Sequence, residues 1–70
     1  MVPQGVAVDE MGNIFVADQA VEGVHKFGPD GQRIGSVLKT PGAPWGISYD
    51  DTSKRLAVAT DVGLCMYQLG

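Results

Sequence analysis

The chain has 70 residues and a formal net charge of −3, so it is one small domain at most and has no excess of basic residues for a phosphate backbone. Its single cysteine excludes an intramolecular disulfide, and no apolar run approaches the ~20 residues that cross a bilayer. The N-terminus lacks the basic segment and apolar run of a signal peptide, so we expect a cytoplasmic chain without a membrane partner.

Four short strands are predicted in the first half, at residues 5–8, 13–17, 23–27 and 33–38. The runs are short, mostly rich in β-branched residues, and bounded by glycine or turn residues, which favours strands over a helix. In the second strand Ile14 and Val16 alternate with Phe15 and Ala17, so both sides are apolar. We therefore expect this strand to be covered on both faces.

A variant of the same pattern recurs in the second half, where Pro44 stands 41 residues after Pro3. The cycle restarts at Trp45, and further strands are predicted at residues 56–59 and 64–67. A period near 40 residues with four strands per unit is typical of β-propeller blades. We therefore predict an all-β chain of antiparallel blades, with a complete four-stranded blade at residues 1–40 and three strands of a second at residues 41–70.

The first copy carries the more specific motif. The runs PQGVAVDEMGNIFVAD at residues 3–18, VHKF at 24–27 and PDG at 29–31 resemble an NHL repeat. The copy at residues 44–69 is a looser match, with Thr60 in place of the first copy's final aspartate. The resemblance implies a propeller like the one at the C-terminus of tripartite-motif (TRIM) ubiquitin ligases, which recruits proteins or RNA. NHL repeats also occur in secreted lyases and bacterial proteins, and they are similar to gluconolactonase-type propellers. We expect a C-terminal fragment of a longer protein.

Strand direction places the loops after the second, fourth and sixth strands at one end of the blades, where variable loops on a rigid scaffold carry ligands. Six residues of this end are candidate partner contacts: Asp18, Gln19, Glu22, Lys39, Trp45 and Asp61. Trp45 is interpreted as a core plug between blades, which we favour, or as a recognition anchor. Asp18, Glu22 and Asp61 are interpreted as solvated loop residues, which we favour, with Asp18 bonding nearby backbone amides, or as a ligand-facing acidic patch or a set that helps to hold a cation.

No nucleophile motif, phosphate-binding loop or zinc spacing occurs in the sequence, so we expect neither a cofactor nor catalysis from this segment. His25 and Cys65 occupy equivalent positions in the two copies and are interpreted as packed structural residues. The preferred function is a protein-interaction scaffold, the recruiting end of a TRIM-like E3 ubiquitin ligase. Its partners would be a protein substrate and either the remaining blades or other copies of this chain. The alternatives are part of a metal-dependent lactonase-type hydrolase, and an RNA-binding propeller, which the net charge disfavours.

Overall fold

The computed structural model describes residues 1–69, and within that range the chain forms seven strands and no helix. The strands are β1 (Pro3–Val8), β2 (Ile14–Asp18), β3 (Gly23–Phe27), β4 (Leu38–Lys39), β5 (Pro44–Asp50), β6 (Arg55–Thr60) and β7 (Gly63–Gln68). They form two antiparallel sheets in the orders β1-β2-β3-β4 and β5-β6-β7. The prediction of an all-β chain with one four-stranded and one three-stranded unit is confirmed. Residues 1–69 include no helix that could span a membrane.

The two sheets repeat one another in register as well as in strand order. β1 pairs with β2 in the same register as β5 pairs with β6, so each residue pair of the first ladder has an equivalent pair in the second. Both first strands also carry a bulge at the same place, where one residue lies outside the ladder. The bulged residues are Gln4 in β1 and Trp45 in β5. A bulge interrupts the alternation of side chains between the two faces of a strand.

The fourth strand is much shorter than predicted. We expected residues 33–38, but β4 covers only Leu38–Lys39, preceded by a single bridge between Arg33 and Phe27. The ladder breaks because Gly35 adopts a φ of 68°, which turns the backbone out of the extended conformation. The stretch from Arg33 to Leu38 is therefore longer than the part of β3 that it faces, and the extra residues bulge outward.

The core lies between the two sheets. The first sheet contributes Ala7, Phe15 and Val24, and the second sheet contributes Leu56 and Val58. Burial of each Leu, Val or Phe side chain of this kind stabilises the fold by about 1.5–3 kcal/mol. Three further side chains pack around this cluster while remaining partly exposed: Ile47, Tyr49 and Tyr67. Each sheet thus has one inner face, which is covered by the other sheet.

The two sheets come closest where β1 runs beside β5. A Cβ atom placed on Gly5 would lie only 3.2 Å from Cγ2 of Ile47, so this close approach depends on the missing side chain. On the opposite side of the first sheet, Ile14 and Val16 stay half-exposed. The expectation that β2 is covered on both faces is therefore met on the inner face only.

Candidate functional site

The loops at residues 18–22, 39–44 and 60–62 form the end of the molecule where partner contacts are predicted, and we call them the loop end. Asp18 does not lie on its surface, because it is only 1% exposed and all its contacts are internal. One carboxylate oxygen accepts hydrogen bonds from the amides of Val2 (3.0 Å) and Ala20 (2.9 Å), and the other lies 2.6 Å from Nε2 of His25. The expected bond from Asp18 to a nearby amide is confirmed, whereas its place on a partner-facing surface is not.

The Asp18 carboxylate is the buried end of a chain of polar contacts that reaches the exposed Arg33. Nδ1 of His25 lies 2.7 Å from Nη1 of Arg33, and the Arg33 guanidinium lies 5.3 Å from the centre of the Phe27 ring. Because a guanidinium only donates hydrogen bonds, Nδ1 accepts here and Nε2 carries the proton that it donates to Asp18. The hydrogen bond from His25, followed by the one from the Val2 amide, lowers the pKa of Asp18 to about 2. His25 is packed in the interior, as predicted, with 5% of its surface exposed.

Three of the predicted contact residues lie at the loop end of the first sheet. Gln19 is half-buried and its amide donates to the carbonyl of Val2 at 3.0 Å, whereas Glu22 is exposed. Lys39 is exposed, and its ammonium donates to the carbonyl of Val21. Glu22 has a φ of 50°, and its carbonyl accepts the amide of Thr40 at 2.9 Å. These backbone bonds hold the loop in one conformation, from which the Glu22 side chain extends into solvent.

Asp61 ties together the two loops of the second sheet at the same end. Its carboxylate accepts the amide of Ala43 at 3.0 Å, and its own amide donates to the Ala43 carbonyl at 3.2 Å. Asp61 and Glu22 therefore belong to loops of different sheets, and Asp18 is buried. The alternative of one acidic patch formed by these three residues is not realised.

Trp45 is the aromatic residue among the predicted contacts, and 59% of its surface is open to solvent. It occupies the bulge of β5 between Pro44, which is fully buried and pairs with Thr60, and Gly46, which pairs with Ala59. The preferred interpretation of Trp45 as a core plug is therefore wrong within this chain. The bulge removes Trp45 from the alternation that would have turned it toward the core.

A cavity of 190 Å³ lies at the opposite end, between the turns, where no sequence motif indicates a site. The rings of Phe15 and Tyr49 stack across it with centroids 6.5 Å apart. The Tyr49 hydroxyl donates to Glu10 at 2.6 Å, and the Lys54 ammonium lies 3.1 Å from the other oxygen of Glu10. The hydrogen bond to Glu10 is the main reason that the pKa of Tyr49 rises to about 12. Glu10 thus pairs with both the Tyr49 hydroxyl and the Lys54 ammonium. We call these three residues the clasp, because they join the two sheets beside the cavity.

Two further observations concern chemistry in the described range. Among residues 1–69, no group of three or more His, Cys, Asp or Glu side chains is arranged to hold a metal ion. Cys65 is a free, half-buried thiol, although we expected it to be buried.

Comparison with models of known protein families finds no match, and comparison with curated proteins finds none either. The NHL resemblance therefore stays a prediction.

Proposed function

We propose that this chain is a non-catalytic protein-interaction module, a segment of an NHL-like propeller of the kind that recruits substrates to TRIM-like ubiquitin ligases. Two features support the proposal. The copies share strand order, pairing register and the position of a bulge, as successive blades of one propeller would. The loop end also presents an exposed tryptophan beside ordered loops, and that tryptophan carries the proposal.

Trp45 has the properties of a recognition anchor. It is a large aromatic side chain that is 59% exposed, so a partner that covers it removes much apolar surface from water. Its backbone is already ordered, because Pro44 is buried on one side and Gly46 is in the ladder on the other. Tryptophan is enriched among the few residues that carry most of the energy of a protein interface, and a pre-ordered anchor costs less entropy on binding.

The other exposed residues of the loop end suit a polar rim. Glu22 and Lys39 are exposed at this end of the first sheet, and Asp61 is exposed at this end of the second. Interfaces commonly surround a central aromatic residue with polar groups that remain in contact with water. An extended peptide segment with an apolar side chain for Trp45 and polar flanking groups is the partner that fits this end.

The proposal is tested with linear peptides selected on the immobilised chain from a displayed library. Their affinity is then measured by calorimetry for the wild type, for Trp45→Ala and for Gln4→Ala. Gln4 is the matched control, since it is the exposed bulge residue at the equivalent place in the first sheet. We expect Trp45→Ala to weaken binding by at least tenfold, a loss of about 1.4 kcal/mol or more. Gln4→Ala should bind within twofold of the wild type.

Fluorescence gives a second readout of the same experiment. Trp45 is the only tryptophan in the chain, so its emission reports on this site alone. A selected peptide should shift the emission to shorter wavelength as water leaves the indole. Peptides that bind Trp45→Ala as tightly as the wild type, and leave the emission unchanged, would contradict the proposal.

A further inference from the structure

The outer face of the first sheet is apolar and uncovered. Its side chains come from the positions of β1 and β2 that alternate with the core residues, and we call it the A face: Val6, Val8, Ile14 and Val16. Val6 and Val8 are 59% and 55% exposed, and the other two are half-exposed. An exposed patch of adjacent β-branched side chains on a sheet is a candidate interaction surface.

The outer face of the second sheet has the same character. It comprises Ala57, Ala59, Leu64 and Met66, which alternate with the core residues of β6 and with their neighbours on β7, and we call it the B face. Leu64 is 70% exposed and Met66 is 48% exposed. These four side chains are apolar, whereas Ser48, Arg55 and Gln68 on the same side of the sheet are polar and exposed, so the apolar part of the outer face is the patch formed by these four.

The repeat shows what kind of surface covers the A face. The four positions equivalent to the A face in the second copy are Ile47, Tyr49, Leu56 and Val58, by strand position and pairing. All four lie on the inner face of the second sheet, where they belong to the core or pack against it. In the second copy this type of face is therefore covered, and what covers it is the inner face of the first sheet.

The B face belongs to the second copy, and its equivalent positions in the first copy lie on a covered face. Its equivalents in the first copy are Phe15, Ala17, Val24 and Lys26. Phe15, Ala17 and Val24 are buried on the inner face of the first sheet, with Lys26 lying over the Phe15 ring. On the B face Met66 replaces this lysine and Ala57 replaces Phe15, so the B face lacks both the charge and the aromatic ring of the inner face that it resembles.

We infer that the A face of one copy of this chain binds the B face of another, with the packing that already joins the two sheets within each copy. The interface is head-to-tail, because each copy contributes a different face to each of its two neighbours. A second copy is the occupant that fits, since both halves of the interface are present on one chain. The inference concerns the sheet faces and is independent of the loop end.

The polar groups near the A face do not oppose this packing. Asp18 and His25 lie on the same side of the first sheet as Val16, and both are already buried and hydrogen-bonded to each other. Covering the face would leave neither side chain without a partner. The exposed Arg33 guanidinium, 2.7 Å from Nδ1 of His25, has to stay in contact with water, and the desolvation cost is then small. The exposed apolar area would supply the driving force.

Sedimentation velocity of the complete chain tests the inference first. The average mass of the wild type should rise with concentration beyond that of one chain. Val8→Glu on the A face and Leu64→Glu on the B face should each remain monomeric, because each introduces a charge into the interface. Both positions are more than half exposed in the single chain, so both variants should fold, which circular dichroism verifies. Val62→Glu is the matched control, a 66% exposed residue of a loop that should assemble as the wild type does.

Mixing the two variants distinguishes a head-to-tail interface from all others. Val8→Glu retains an intact B face and Leu64→Glu retains an intact A face, so an equimolar mixture should form a dimer with one copy of each. The dimer cannot grow, because its remaining faces are the altered ones. A wild type that stays monomeric to millimolar concentration overturns the inference. Single variants that still associate, through strand edges or another surface, or a mixture that does not combine, overturn it as well.

Discussion

Asp18 shows how a loop residue that looks solvated becomes part of the interior. It ends β2, and it accepts two backbone amides as well as the proton on Nε2 of His25. A carboxylate that accepts several hydrogen bonds keeps its charge to lower pH than one in water. This accounts for a pKa of about 2 in a residue whose ordinary value is 3.8.

The first prediction is a loss of stability in acid that depends on Asp18. Its pKa is lower in the folded chain than in the unfolded one, so its contribution is complete above pH 3.8 and is lost as the pH falls toward about 2. Asp18→Asn should be less stable than the wild type at neutral pH, because the amide NH₂ would face the Nε2–H of His25. The difference should shrink as the pH falls.

Urea unfolding of both proteins between about pH 2 and pH 6 measures this difference. Asp30→Asn is the control, since Asp30 is exposed and its side chain accepts only the Gln32 amide, at 3.1 Å. A constant difference between wild type and Asp18→Asn across this range would show that Asp18 is not the titrating group.

At the scale of strands, β4 depends on a glycine in its neighbour. A Cβ atom on Gly23 would lie 2.5 Å from Cγ1 of Val37 and 2.8 Å from the carbonyl oxygen of Leu38. Only the absence of a side chain lets β4 pair with β3 at Gly23 and Val24. The shortness of β4 leaves few other contacts to hold it.

The second prediction is that Gly23→Ala detaches β4 and lowers the free energy of unfolding by about 1–3 kcal/mol. Hydrogen exchange should become faster at the amide of Thr40, which donates to Glu22 beside this pair of strands. Gly46→Ala is the control, because its new Cβ would meet only the Ala59 Cβ, at an ordinary 3.7 Å. Equal stability of the two variants, measured at a concentration where the chain is monomeric, would refute the prediction.

Strand existence was predictable from the sequence, but local irregularities were not. Apolar runs between turn residues located the strands other than β4, because strand formation depends mainly on local pattern. The break before β4 depends on the backbone angle of Gly35, and the exposure of Trp45 depends on a bulge. Neither is visible as a change in hydrophobic alternation. The pairing of Asp18 with His25 follows only once the register of β2 and β3 is known, since the register sets which residues share a face.

At the scale of the whole molecule, a polar clasp joins the two sheets at the turn end. Glu10, in the turn after β1, meets Tyr49 of β5 at 2.6 Å and Lys54 at 3.1 Å. The contact links residues 39 positions apart, so no local pattern could have predicted it. It lies beside the stacked rings of Phe15 and Tyr49, where the apolar core ends. The clasp therefore adds a polar contact between the sheets at this end.

The third prediction concerns alkaline pH. The pKa of Tyr49 is raised from 10.0 to about 12, mainly by its hydrogen bond to Glu10. Its contribution to stability is complete below pH 10 and is lost as the pH rises through about 12, because the phenolate cannot donate to the carboxylate. The variant Tyr67→Phe leaves Tyr49 as the only tyrosine, so its phenolate absorbance can be titrated alone.

In that background we expect Tyr49 to titrate near pH 12, and we expect Glu10→Gln to move the titration toward its ordinary pH of 10.0. Lys54→Met is the control, because it removes the second partner of Glu10 without touching the hydroxyl contact, and it should shift the titration less. Titration near pH 10.0 in the Tyr67→Phe chain itself would show that the clasp does not form in solution. The sheets would then be joined by the apolar core alone, and their orientation would be free to adjust when another sheet packs against them.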